Sequence, residues 1–306
     1  MQISLCLLVK DEERTLESCL TPIHDLFDDI VVMDTGSTGR TCEVLRDRFG
    51  LDPLHGVLEE RLCFAKFEAR NRVIAQAKHP WILFLDADER ITRAQAAALL
   101  GMADDPATSG YFCAWNTFID GAVIEDYKLS LFRRDVRYSG LIHENPQQHV
   151  RRQGQHAGWL DALSILHHPE PAKLEEKRRL YRWRLRCALA RDDAWYRYHW
   201  FMGYMLYRAG ETQDAIHQLS RAAAACDPQF AVECLNSHMV LASMHAERGD
   251  AHAAADILNS ALGFYGTVSN DFEVKINFRL KPWLDSALAA CSDGRPCEAR
   301  AYDFAC

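Results

Sequence analysis

Three short apolar runs, each followed directly by carboxylates, constrain this sequence more than any other feature. Ile3-Ser4-Leu5-Cys6-Leu7-Leu8-Val9 leads into Lys10-Asp11-Glu12-Glu13, and Ile30-Val31-Val32-Met33 leads into Asp34-Thr35-Gly36-Ser37-Thr38-Gly39. The third, Trp81-Ile82-Leu83-Phe84-Leu85, leads into Asp86-Ala87-Asp88-Glu89. Runs this short and this continuous suit central strands covered on both faces. Amphipathic segments over 12–20, 41–49 and 65–77 lie between them. Strand and helix alternating at this spacing predict an α/β domain with a mostly parallel sheet and right-handed crossovers. Further strands are expected over 111–119 and 128–133. Ligands of such a sheet bind beyond the carboxyl ends of its strands, which is where all three acidic stretches fall.

The chain changes character after His167-His168-Pro169-Glu170-Pro171, and almost everything beyond reads helical. One spacing occurs twice. Gly203, Leu206, Gly210, Ala215, Leu219 and Ala222 are matched by Ala242, His245, Gly249, Ala254, Leu258 and Ala261, a displacement of 39 residues. Small residues let helices approach and the glycine ends the first helix of each pair. The two copies resemble tetratricopeptide-type hairpins, without their usual Trp and with an interval longer than the ideal of about 34. The expected organisation is an α/β domain over 1–170, an all-α domain over 171–290 and a tail over 291–306.

Charge excludes some functions. The 306 residues carry 43 acidic and 35 basic groups, a formal net charge of −8. Residues 1–170 hold 26 acidic and 18 basic groups, so they carry all of it; residues 171–306 hold 17 of each. This balance gives no footprint for duplex nucleic acid. With 48% hydrophobic and 25% charged residues, the chain is also no candidate for disorder. The longest candidate export signal, 3–9, is too short and lacks a basic lead, so a cytoplasmic location is expected. Eleven cysteines without a C-x-x-C pair then read as reduced, mostly buried thiols, with Cys291 and Cys297 too isolated for a zinc pattern.

Asp86-Ala87-Asp88 is the sharpest chemical feature. Two carboxylates one residue apart at a strand's end can address one hard cation, and oxygen ligands with open positions suit Mg²⁺ or Mn²⁺ clamping a diphosphate. The bland alternative is a solvated turn capping the helix that starts near Thr92. Asp34 opens a Gly-Ser-Thr turn whose free N–H groups, with its own carboxylate, suit ribose hydroxyls or a base edge. There is no G-x-x-x-x-G-K-[ST] and no G-x-G-x-x-G, which disfavours P-loop NTPases and dinucleotide dehydrogenases. A diphosphate would be neutralised by metal and by scattered cations such as Arg70.

Taken in order, residues 3–12, Asp34-Thr35-Gly36-Ser37-Thr38, Ala69-Arg70-Asn71, Asp86-Ala87-Asp88-Glu89 and Gly140-Leu141-Ile142-His143-Glu144 resemble a family 2 glycosyltransferase of the Rossmann-like GT-A fold. The nearest branch carries a helical tetratricopeptide-like tail and includes the sublancin-type peptide S-glycosyltransferases. The resemblance implies a UDP-sugar donor and a Mn²⁺ or Mg²⁺ cofactor. It places Asp34 at the uracil or ribose, and Arg70 and Asn71 along the nucleotide pocket. Val9, Asp11, Glu12, Asp86 and Ala87 also fall around the donor. Asp88 becomes the more direct metal ligand, Asp86 a second, and His167, rather than His168, completes the set. Three departures stand out: Gly39 where an acidic residue is common, Ser130 where relatives carry Arg, and His168-Pro169 where Tyr-Gly is usual.

Inverting transfer needs a base for the acceptor's proton. Glu144 is the first choice, with His143 to orient it or meet the phosphates, and Asp126 is held in reserve; the bland reading of Glu144 is a salt bridge. The acceptor would be a glycan, a lipid-linked sugar or a peptide. Residues 173–191 carry eight basic residues against Glu175 and Glu176. They suit peripheral contact with anionic lipid or a phosphorylated glycan, or else a solvated helix packed through Leu174, Leu180, Trp183 and Leu185. Aromatic residues between Trp195 and Tyr207 read mainly as helix core, and the helical domain offers a homodimer surface. Two rival functions remain: a non-catalytic helical scaffold with a vestigial nucleotide domain, and a nucleotidyltransferase. The latter usually has a Gly-rich basic loop where this chain has Lys10-Asp11-Glu12-Glu13.

Overall fold

The computed structural model describes residues 1–56, 66–119, 121–277 and 280–295. It divides into two compact units, one ending at Lys177 and one beginning at Arg178. In chain order the first contains β1 (Ile3–Val9), α1 (Leu16–Leu20), β2 (Ile30–Asp34), α2 (Thr41–Phe49), β3 (Leu54–His55), α3 (Lys66–Gln76) and β4 (Trp81–Asp86). There follow β5 (Glu89–Arg90), α4 (Arg93–Gly101), β6 (Thr108–Ile119), β7 (Ala122–Arg133), α5 (Gln147–Arg152), β8 (His156–His167) and α6 (Pro171–Arg191), which runs on past the division.

The three apolar runs form β1, β2 and β4 as expected. The eight strands make one sheet in the order β3-β2-β1-β4-β7-β6-β8-β5. β1 pairs in parallel with both β2 and β4, and β2 with β3. Beyond β4 the sheet is mixed: β7 is antiparallel to β4 and to β6, while β6 and β8 run parallel. Leu5, Leu7, Trp81, Leu83, Leu85, Leu131 and Ile165 contribute to its main core.

Several elements differ from expectation. The strands expected over 111–119 and 128–133 are the C-terminal parts of β6 and β7, which form one long hairpin. The helix expected over 12–20 shortens to α1, because Asp11 adopts a left-handed φ of 53° and its carboxylate accepts the Thr38 and Gly39 amides. Ala65, the expected start of α3, lies outside the described residues. β8 was not expected at all. Exposed and buried residues mix along it, so it contains no continuous apolar run.

The second unit continues with α7 (Tyr196–Arg208), α8 (Thr212–Ala224), α9 (Ala231–Glu247), α10 (Ala251–Val268), α11 (Phe272–Ile276) and α12 (Leu280–Ser292). The repeated spacing maps onto two hairpins, α7–α8 and α9–α10. Gly210 and Gly249 end the first helix of each with φ of 75° and 82°, a conformation that glycine adopts without a Cβ penalty. Ala215, Leu219 and Ala222 are fully buried, as are Ala254, Leu258 and Ala261. A 3₁₀ turn over Pro228–Phe230 and a 17-residue α9 account for the long interval between copies. Tyr196, Tyr198, Trp200, Phe201 and Tyr204 are buried, as the core reading requires.

Two expectations fail in this unit. Cys226 and Cys234 form a disulfide, their Cα atoms 5.5 Å apart, so these two thiols are not free. The turn between α8 and α9 joins residues whose sequence spacing matches no simple pattern, and His238 lies beside them with donor atoms of all three within 4.8 Å. Cys6, Cys19, Cys113 and Cys291 are free and buried as expected; Cys297 lies outside the described residues. On α6, Leu185 is fully buried, whereas Leu180 and Trp183, expected on the same packed face, are largely exposed.

Gly203 and Gly263 are both helical, and only one is crowded. A Cβ at Gly203 would meet Leu219 Cγ at 2.7 Å and the Leu219 backbone N at 3.0 Å, whereas nothing lies within 4 Å of one at Gly263. Gly203→Ala is therefore expected to lower stability by about 1–3 kcal/mol through overpacking, and Gly263→Ala to raise it by up to about 1 kcal/mol through helix propensity. Urea unfolding followed by circular dichroism measures both, and opposite signs are the expected result.

Candidate active site

The sheet brings the acidic stretches level. Val9 is in register with Asp34, and Leu8 with Asp86. The chain leaves β1 outward through β2 and β3, then returns to β4 on the other side of β1, which makes a switch point beyond these strand ends. Two residues past β4, β5 pairs with β8, setting Glu89 opposite His167. The His168 amide then donates to the Asp88 carbonyl at 2.9 Å. Asp88 and Glu89 are buried, and α4 is capped by Thr92 with Gln95 in a capping box, so the two aspartates are not a solvated helix cap.

Three cations and one imidazole meet these carboxylates. Asp86 accepts from Arg70 Nη2 at 2.9 Å and from Lys128 Nζ at 3.1 Å. Burial alone would raise the Asp86 carboxyl, but Arg70 and Lys128 outweigh it and hold the group far below the carboxylate range. The Arg70 guanidinium lies over the rings of Phe84 and Tyr138, at 4.7 and 5.1 Å, and its Nε is 3.3 Å from Glu144 Oε1. Glu89, fully buried, accepts from Lys128 at 2.6 Å, from Trp115 Nε1 at 2.7 Å and from the Asp86 amide at 2.9 Å. Desolvation still leaves its carboxyl raised.

Asp88 sits 3.4 Å from His167 Nε2 and 3.6 Å from Lys177 Nζ. Burial pushes its carboxyl up, and His167 and Lys177 more than reverse the shift. The other imidazole nitrogen, Nδ1, shares a 3.0 Å hydrogen bond with the Thr117 hydroxyl, and the ring stacks on Trp115 at 4.8 Å. His168 turns elsewhere, its ring stacked on Phe118 at 4.6 Å.

Other expected residues are engaged in shaping the strand ends. Asp34 accepts from the Gly36 amide at 3.1 Å and from both the amide and the hydroxyl of Ser37, closing its turn. Val9 O accepts the Thr35 amide at 3.0 Å. Glu12 accepts from the Thr15 hydroxyl at 2.7 Å. Asn71 brackets the Tyr138 backbone, donating to its carbonyl at 2.9 Å and accepting from its amide at 2.8 Å. Ala87 is buried between the two aspartates. His143 takes a left-handed φ of 50° just before Glu144, inside a turn closed by the Ser139–Asn145 bridge. Asp126 is cross-strand from Trp115, two residues from Lys128 on one face of β7. A Cβ at Gly39 would meet only the flexible end of the Glu13 side chain, Oε1 at 2.8 Å, which can swing aside, so packing does not require glycine there.

Glu89, Lys128, Trp115, Thr117 and Lys177 were not singled out from the sequence. The one available signal was Lys128, a lone cation at the start of an apolar strand. Lys128→Met would strand the buried Glu89 and leave Asp86 with one cation, so a loss of about 3–5 kcal/mol is expected. Adding Glu89→Gln should recover part of it in urea unfolding; equal losses for the single and double variants would show that the pair is not coupled.

The sequence profile described as glycosyl transferase family 2 matches residues 4–159. A TPR repeat-containing protein of Synechococcus elongatus is 33% identical over 145 residues, covering 47% of this chain and 35% of its own length. The prophage-derived glycosyltransferase SunS of Bacillus subtilis is 26% identical over 152 residues, covering 48% of this chain and 35% of its own. This chain thus spans about a third of the length of those relatives. Among solved structures, S. aureus TarS 1–349 superposes with a TM-score of 0.49 at 14% identity, over 90% of this chain and 92% of that one. With the matched profile covering half its length, the chain belongs to glycosyl transferase family 2.

Proposed function

We propose that this chain transfers a sugar, with inversion at the anomeric carbon, from a UDP-sugar to a glycan, lipid-linked or peptide acceptor. One observation carries the reading: Asp86, Asp88, Arg70, Glu144 and His167 converge at the β4 end of a family 2 sheet. Asp34, beside the Gly-Ser-Thr turn, is assigned to the uridine, and Arg70 to the donor phosphates or their positioning through Asp86. The donor chemistry belongs to residues 1–170, and a homodimer contact to the helical residues 171–290. A cytoplasmic location is part of the same reading, and there the Cys226–Cys234 bond would have to form against a reducing thiol pool.

A divalent cation fits one place in this site. Asp88 is a buried carboxylate beside an imidazole whose Nδ1 is already engaged by Thr117, which leaves Nε2 as the inward donor. One carboxylate and one imidazole leave positions for diphosphate oxygens and water, as Mn²⁺ or Mg²⁺ requires. Asp86 is committed to Arg70 and Lys128, so the expected ligand set narrows to Asp88 and His167. When bound, the ion would supply positive charge to the departing diphosphate. Glu144 is assigned to take the proton from the acceptor's hydroxyl or thiol as the acceptor atom bonds to the anomeric carbon and the sugar–phosphate bond breaks. Its ion pair with Arg70 fixes its position, and Asp126 is the alternative on the neighbouring strand.

Thermal unfolding with UDP, a UDP-sugar or a nucleoside triphosphate, each with and without Mn²⁺, separates this function from its rivals. The midpoint is expected to rise with UDP plus Mn²⁺, and Asp88→Asn is expected to abolish the metal-dependent part. No response to any nucleotide would favour a scaffold; preference for triphosphate would favour a nucleotidyltransferase. Glu144→Gln is expected to cut turnover by about 10²–10⁴-fold while UDP binding persists. Unchanged turnover in that variant would transfer the base role away from Glu144.

A further inference from the structure

The basic helix α6 has a buried side and a bare side. Leu185 and Ala188 are fully buried, whereas Leu180 and Trp183 are 39% and 45% exposed. Arg179, Leu180, Trp183 and Arg186 occupy positions one, three and three residues apart, which at 100° per residue puts them in one stripe opposite Leu185 and Ala188. Arg178, Arg179 and Arg186 are exposed, and Arg178 and Arg179 make no ion pair among the described residues. Arg182, on the flank, is taken up by Glu211. A bare tryptophan and leucine among exposed arginines lie within a stretch holding eight basic residues, in a chain whose total charge is −8.

We propose that this stripe of α6 docks on the surface of an anionic lipid bilayer. Trp183 and Leu180 would enter the headgroup boundary while Arg179 and Arg186 meet lipid phosphates. The chemistry favours a bilayer over a folded partner. Two apolar side chains offer far less area than the roughly 1,200 Å² that a stable protein interface buries. A fluid surface needs no matching shape, and an indole with a polar N–H edge is suited to the boundary between headgroups and acyl chains. The arginine stems can extend along that boundary with their charge in the phosphate layer, and each basic group adds attraction that salt screens.

Flotation of the full chain with vesicles tests this. Binding is expected to vesicles of phosphatidylcholine mixed with phosphatidylglycerol, not to phosphatidylcholine alone, and to weaken as salt rises. Arg179→Glu with Arg186→Glu is expected to weaken it by more than about tenfold. Leu180→Ser with Trp183→Ser should also weaken it several-fold. These side chains are exposed, so unchanged thermal unfolding confirms that the variants fold, and their retained response to UDP reports separately on the donor site. Absence of binding to the mixed vesicles would overturn the proposal. So would equal binding of wild type and Leu180→Ser/Trp183→Ser to both vesicles and inorganic polyphosphate, which would make the stripe a site for soluble polyanions. A changed sedimentation coefficient in that variant, without vesicle binding by wild type, would assign the stripe to a second copy of the chain.

Discussion

A fully buried carboxylate, Glu89, is the interaction on which the arrangement of this site depends. It gathers the Asp86 amide from its own turn, the Trp115 indole from β6 and the Lys128 ammonium from β7. A charge in such a place is costly unless it is paired and hydrogen-bonded, so each donor is required to be where it is. Lys128, once drawn in, is within reach of Asp86 as well, and Asp86 in turn engages Arg70. Arg70 is stacked on Phe84 and Tyr138, and Tyr138 is pinned by Asn71. The polar groups at the end of β4 are therefore oriented by one connected set of contacts anchored inside the protein rather than by the loop that carries them.

What was legible in the sequence follows the reach of its signals. Continuous apolar runs announce buried strands, and β1, β2 and β4 came through with their acidic ends because runs of four to seven residues are too short for buried helices. The helical hairpins were visible because alanine and leucine recur where helices pack and glycine recurs where the first helix of each pair ends. β8 was hidden: its residues alternate between exposed, half-buried and buried, so the strand is defined by the neighbours it pairs with. Glu89 and Lys128 were missed for a related reason. A lone charge in an apolar segment reads as a solvated strand end unless its partner, 39 residues away in the chain, is known to lie beside it. The Cys226–Cys234 pair escaped in the same way, and between the two readings offered for the basic stretch of α6 only folding decides whether Leu180 and Trp183 are covered.

From the sequence, a diphosphate in the acidic first 170 residues is expected to be neutralised by a metal and by scattered cations such as Arg70. Folding changes the terms of that inference. Asp86 already faces two cations, and Asp88 faces an imidazole and Lys177, so the strand ends are closer to electrical balance than the composition implies. Under the proposed reading, any demand for a divalent ion is local to Asp88 and His167, where the ion would compete with Lys177 for one carboxylate. Surface carboxylates elsewhere on the unit, such as Asp25 and Asp28, pair likewise with nearby Arg93 and His79.

The two-residue strand β5 carries a kinetic implication for a segment that looks, from its position, like an ordinary turn. Asp86 enters it with its amide held by Glu89, and Asp88 leaves it with its carbonyl held by the His168 amide just past β8, the strand beside it. Opening this turn would uncover a buried charge and unzip the edge between β5 and β8 together. Its amide protons should therefore exchange with solvent only through large cooperative excursions of the sheet, placing this turn of the candidate site among the slow, core-like regions of the molecule rather than among its mobile loops.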